Sequence, residues 1–316
     1  MTQESFEYWL ERTLRQSEIA DLEERKAIRK IQRMEAKCFK DIEKEIMILF
    51  QRYAEQQNLS IEEAQMYLTS REYIDFRADV GTYIEAINNE DLDEVVREQL
   101  KMEYNTLAMK TRISRLEELS YHVNRHLDTL FFYSIDIVRD LLEESVTASY
   151  NEANMILRRH SKVDKKMFKI LEKPWSGANF SENIWDNRNK LAGIAKHEIT
   201  RGLYRGNGSK QIARAIKERM DANMKDIERV VRTESRFVRN EASAQAYEEY
   251  GYTKYKFSSH TEGRHSDRTC SECKRLNKEV YKFSERMPGI NYPPMHPNCR
   301  CTIIPVIDNY KRPSDD

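Results

Sequence analysis

Four cysteines and a histidine crowd the end of this sequence. Cys270-Ser271-Glu272-Cys273 is followed about 25 residues later by Pro293-Pro294-Met295-His296-Pro297-Asn298-Cys299-Arg300-Cys301. A C-x-x-C turn points two thiolates at one ion, and structural zinc takes four tetrahedral ligands of these types. The intervening loop closes at modest entropic cost. The candidate metal ligands are therefore Cys270, Cys273, His296, Cys299 and Cys301, with structural zinc as the cofactor they suggest. The same spacing fits one or two disulfides, or reduced cysteines packed without bond or metal. Cytoplasmic synthesis opposes disulfides, whereas a later oxidising exterior permits them. A catalytic zinc keeps an open position and a nearby general base; no such base stands out, no catalytic residue is assigned, and the chain reads as a non-enzyme. His260 and His265, just upstream, are weaker ligand candidates. Cys38 stands alone in helical text and reads as a buried free thiol.

Glu234 is the other residue whose placement suggests chemistry. It interrupts the apolar stripe Ile227, Val230, Val231, Phe237, Val238, Ala242 and Ala246 of a helix expected over about 224–250. A carboxylate facing a core must be paired or neutralised. The expectation is an ion pair with an arginine from another helix. An acidic active-site role competes with it, without a histidine, cysteine or second carboxylate at a catalytic spacing.

The elements that must position these groups are mainly helical. No proline precedes Pro174, and Gly81 is the only glycine before Gly177. So long a stretch without breakers predicts helices: one over 41–56, one after the capping box Ser60–Glu63, one near 92–110 following a turn at 88–93, and a long one over about 113–159. No heptad persists, so an extended helical bundle is expected rather than a coiled coil. Ser181 is expected to cap a helix holding Ile184 and Trp185, Ser209 to cap the next, and Gly251 to end the helix that carries Glu234. Strands are expected at 252–258 and 303–307. The fold class is thus mainly α: an elongated helical N-terminal region (1–165), a second helical part (166–250), and a small β-containing, cysteine-rich module (251–316). That module has few apolar residues between Ser258 and Cys301, and small modules of this kind need a metal or cross-links.

Lys+Arg and Asp+Glu both total 53 in 316 residues, a formal net charge of zero that gives no global drive toward nucleic acid or anionic membrane. No secretory signal is visible, and the most apolar stretch, 130–138, is too short to span a bilayer.

Several of these residues carry a resemblance. Arg232-Thr233-Glu234-Ser235, Gly251, Asp267-Arg268-Thr269-Cys270-x-x-Cys273 and Pro293-Pro294-x-His296-Pro297-Asn298-Cys299-Arg300-Cys301 together resemble the phage head morphogenesis family, the Mu F-like minor head proteins. Pro174-Trp175-Ser176-Gly177, Phe180-Ser181-x-x-Ile184-Trp185 and the early Tyr8-Trp9-x-x-Arg12 are similar to its branch in phages of Gram-positive hosts. The resemblance implies a helical Mu F-like domain in a minor capsid protein of a tailed bacteriophage, made in the host cytoplasm and carried inside the virion. It implies a portal-associated role in head assembly or DNA delivery. The implied partners are the portal protein, scaffold or major capsid protein, and packaged DNA, with no membrane. Some relatives carry added toxin or enzyme domains, and none is expected here. Other branches keep the C-R-C element without the C-x-x-C pair, so metal binding stands as a separate hypothesis. The alternative is a zinc-supported nucleic-acid-binding protein or nuclease using Arg201, Arg205, Lys210, Arg214, Lys217 and Arg219; against it, these charges read as a solvated helix face.

Overall fold

The computed structural model describes residues 3–57, 60, 113–157, 161–205, 207–259 and 269–306. The expected cap at Ser60–Glu63, the turn at 88–93 and the helix near 92–110 lie outside these residues.

Four long helices carry the fold: α1 (Gln3–Gln57), α2 (Ile113–Ile156), α3 (Phe180–Tyr204) and α4 (Ser209–Glu249). The helix expected over 41–56 is the end of α1, which runs unbroken for 55 residues. Its buried residues Ala20, Glu24, Ala27, Ile31, Cys38, Ile42, Ile46, Phe50 and Ala54 keep the three-to-four spacing of one helix face. The helices expected after Ser209 and over 224–250 are likewise one helix of 41 residues, α4.

Two helix starts differ from expectation. Asn179, not Ser181, caps α3: its Oδ1 accepts from the Ser181 and Glu182 amides at 3.0 Å each, and Glu182 Oε2 accepts from the Asn179 amide at 2.8 Å. That reciprocal pair is a capping box with Asn in place of Ser. At α4 the Gly208 N–H donates to Gln211 Oε1, a reach-back bond one residue before Ser209. Gly251 ends α4 as expected, at φ +94°. The Tyr252 amide bonds Tyr247 O and the Gly251 amide bonds Glu248 O, the paired bonds of a Schellman cap.

The described residues form two compact units. One comprises those of Met1–Arg33, Phe131–Asn187 and Met224–Asp316; the other those of Met34–Leu130 and Arg188–Asn223. The first contains the sheet, in the order β2-β1-β3, with β1 (Lys254–Ser258), β2 (Val280–Lys282) and β3 (Thr302–Pro305) antiparallel. The strands expected at 252–258 and 303–307 are β1 and β3; β2 is additional. Phe257 pairs with Ile303, and Tyr255 with Pro305. Tyr255 packs against Phe283 and Tyr292 at ring-centroid distances of 5.2 and 5.4 Å. A one-turn helix, α5 (Ser271–Arg275), lies between β1 and β2.

The second unit has its own apolar interior, including Ile42, Ile46, Leu127, Leu191, Ile199 and Ile216. Its rim is polar: Arg188 pairs with Asp128 at 2.5 Å, and Glu45 lies 3.3 Å from His126. Gly202 on α3 is a contact point, because a Cβ there would stand 2.4 Å from Ile212 Cγ1 on α4. Gly202→Ala should therefore lower stability by about 1–3 kcal/mol, the usual cost of overpacking, although alanine is intrinsically the better helix former. Ile212→Ala, costly by itself because Ile212 is buried, should cost less in the Gly202→Ala background than alone. Urea denaturation of the two single variants and the double variant checks this, and additive losses would refute it.

Candidate metal centre

The five predicted ligands gather in the first unit. Cys270 is the N-cap of α5, and its Sγ accepts from the Cys273 amide at 3.4 Å. This turn places Cys273 one helical turn further on, buried at 1% exposure. The second half is another tight turn: the Cys299 amide donates to His296 O at 3.0 Å, with Asn298 in the left-handed region at φ +61°. His296 Nε2 stands 3.3 Å from Cys270 Sγ and 3.4 Å from Cys273 Sγ. Two groups of donors lie within metal-binding reach, Cys270–Cys273–His296 and Cys273–Cys299–Cys301, and Cys273 belongs to both. All four cysteines are free thiols, packed with Phe257 and Leu276.

Electrostatics favours the thiolate at Cys270 and Cys299 and opposes the ligand form at Cys273, Cys301 and His296. Burial raises the Cys270 thiol, but the Cys273 amide, the Cys273 side chain and His296 outweigh it and bring it below the ordinary value. Cys299 is held lower still by hydrogen bonds from the Cys273 and Cys301 thiols, which are themselves raised. Cys38 contrasts with them: burial, with Asp41 and Glu35 nearby, pushes its thiol up to about 12, and it is inert at neutral pH.

The second turn is fixed to its unit by polar contacts. Thr233 Oγ1 on α4 accepts from the Asn298 amide at 3.0 Å. Asn240 Nδ2 donates to Cys301 O at 3.2 Å, and Thr302 Oγ1 donates to Asn240 Oδ1 at 3.0 Å. Arg300 pairs with the buried Asp21 on α1. His260, His265, Asp267 and Arg268 fall outside the described residues. A cavity of about 580 Å³ opens beside the cluster, lined among others by Asp21, Glu24, Arg232, Cys270 and His296. Glu24 is raised by burial, against the pull of Arg236. Arg239 is lowered to about 10 by burial and by the neighbouring Arg236 charge. Thr233, Asp21 and Asn240 had not been read as site residues. Only Thr233, in the Arg232–Ser235 motif, carried a signal.

Glu234 corrects its expectation. Among the described residues its partner is not an arginine but Trp175, whose Nε1 donates to Glu234 Oε2 at 2.9 Å. The indole also stacks on Phe237 at 5.0 Å. Burial drives the carboxyl up to about 7, and the indole bond only partly offsets this. The expected basic cluster is largely neutralised locally: Arg201 and Arg219 both approach Glu198, Arg214 faces Glu218, and Lys217 pairs with Asp221 at 2.8 Å.

A helical protein with a cysteine–histidine knuckle seated on a polar helix is the class defined so far. Residues 194–304 match the model of the family described as Phage Mu protein F like protein. A stretch of 149 residues is 30% identical to the NAD(+)–arginine ADP-ribosyltransferase EFV of Enterococcus faecalis (strain ATCC 700802 / V583), covering 44% of this chain and 31% of that protein. The chain thus spans under a third of this relative's length. No solved structure matches the chain. Among the described residues, no helix is long and apolar enough to cross a membrane.

Glu234 generates a pH prediction. Its folded value, about 7, lies above the ordinary 4.5, so the folded state holds the proton more tightly than the unfolded chain. The resulting stabilisation is complete below about pH 4.5 and is lost as pH rises through about 7. Its size is on the order of 3 kcal/mol. Glu234→Gln, which keeps an acceptor for Trp175, should flatten this dependence and raise stability at pH 8. Thermal denaturation of both proteins from pH 5 to 8 tests it, and parallel curves would refute the assignment.

Proposed function

We propose that this chain is a minor head protein of a tailed bacteriophage, bound to the portal inside the capsid and acting in head assembly or DNA delivery. Its C-terminal module is held by a structural zinc ion. The observation that carries this reading is the Mu F-like match over residues 194–304, which includes every donor of the cysteine–histidine cluster. Metal-binding energy would act there as folding energy for the part that holds the ligands. Scaffold or major capsid protein and packaged DNA are the remaining candidate partners. The protein is made in the host cytoplasm and ends in the virion.

The role is read as structural rather than catalytic. The match to an ADP-ribosyltransferase covers 31% of that enzyme, as a shared module joined to different neighbours would. A nucleic-acid-binding role is disfavoured because four of the six basic residues proposed for it, Arg201, Arg214, Lys217 and Arg219, face carboxylates within 4 Å.

Co-expression with the portal protein of the same phage is the direct test. Co-purification with the portal oligomer, and presence of the chain in DNA-filled heads, is the expected result. No portal binding, together with a DNA affinity that falls steeply with salt, would replace this reading with the nucleic-acid one.

A further inference from the structure

Five donors lie in two overlapping groups that share Cys273, and one zinc ion needs four. We infer that the ion is held by Cys270, Cys273, His296 and Cys299, and that Cys301 stands beside it as an uncoordinated thiol. This assignment rests on the reading that the module binds zinc.

The imidazole is the first argument. His296 Nδ1 lies 2.9 Å from Pro297 O. Protonated there, it donates to that carbonyl and leaves the Nε2 lone pair facing the sulfurs. Metal-bound histidines are oriented by such a bond from the other ring nitrogen. Zinc–sulfur and zinc–nitrogen bonds of about 2.3 and 2.0–2.1 Å set tetrahedral ligands roughly 3.5–3.8 Å apart. The distances of 3.3 and 3.4 Å from Nε2 to Cys270 and Cys273 are close to such edges before any ion draws the group together.

The two turns are the second argument. Cys270-x-x-Cys273 and His296-x-x-Cys299 have the same spacing. Each is closed by the fourth residue's amide bonding back to the first, to Cys270 Sγ in one and to His296 O in the other. Both present a pair of donors from a tight turn, one pair facing the other.

The choice between the two remaining thiols is the third. Cys301 directly precedes β3, and its carbonyl is tied to Asn240. Cys273 is already common to both donor groups. Drawing Cys299 toward it completes the set while Cys301 stays with its strand. Binding releases to solvent the proton of each coordinating thiol that is still protonated.

The test uses the full chain purified under reducing conditions, loaded with Zn²⁺ for stoichiometry and with Co²⁺ for spectroscopy. The wild type should bind a single Zn²⁺ and show a sulfur-to-cobalt band of three-thiolate intensity. Cys301→Ser should keep both the ion and the spectrum. Cys299→Ser and His296→Ala should each lose Zn²⁺ at a chelator concentration that leaves the wild type loaded. A four-thiolate band with His296→Ala still loaded, or loss of the ion in Cys301→Ser, overturns the assignment. The wild-type and Cys301→Ser spectra decide it even where Cys299→Ser does not fold. A wild type without zinc and with titratable thiols would instead reject the underlying zinc reading.

Discussion

Ten consecutive residues of α4, Thr233 to Ala242, are buried, so this stretch of helix has no solvent-facing side. Most helices buried all round are apolar; this one carries Thr233, Glu234, Ser235, Arg236, Arg239, Asn240 and Glu241. Each such group is costly unless something satisfies it. The surrounding elements answer most of them individually, although Arg236 Nε has no hydrogen-bond partner among the described residues. The loop before α3 offers Trp175 to Glu234. Lys173 and Arg286 reach Glu241 at 2.6 and 3.2 Å from opposite directions in sequence. From α1, Ser17 accepts from Arg236 at 3.1 Å, and Glu24 lies in the same field of charge as Arg236 and Arg239. The cysteine module contributes the Asn298 amide and the Cys301 carbonyl. The packing of this unit is therefore a solution to a problem of polar satisfaction as much as of apolar burial.

That arrangement joins the candidate metal centre to the helix beneath it. The His296–Cys299 turn owes its position partly to Thr233, and Cys301 owes its own to Asn240, one face of α4 serving both. Arg300, between two of the five candidate donors, reaches α1 through Asp21. An ion held in this cluster would stiffen loops whose hydrogen bonds already end on α1 and α4. Buried ionic contacts of this kind define a specific arrangement more than they add net stability, since desolvation offsets much of their attraction.

Much of this was legible in the sequence, for local reasons. The absence of Pro and Gly exposed the helices, Gly251 its C-cap, and the C-x-x-C spacing the site. What escaped was set by distance or by competition between similar residues. Glu234 showed itself as a charge in an apolar stripe, but its partner is 59 residues away and is an indole, which no spacing rule indicates. Asn179 and Ser181 are both good caps, and only the backbone geometry selects Asn179. The strand β2 has three residues, too few for alternation to register. Asp21 lies 279 residues from Arg300.

That last separation bears on how the chain comes to be folded at all. During synthesis the first helix leaves the ribosome with Asp21 and Glu24 on a face that must later be enclosed, while Arg236, Arg239 and Arg300 have not yet been translated. Contacts so distant along the chain reward their loop-closure entropy only late. The unit that holds the cysteines thus cannot close domain by domain behind the ribosome. It must wait until Arg300 has been made, α1 standing open until that loop arrives.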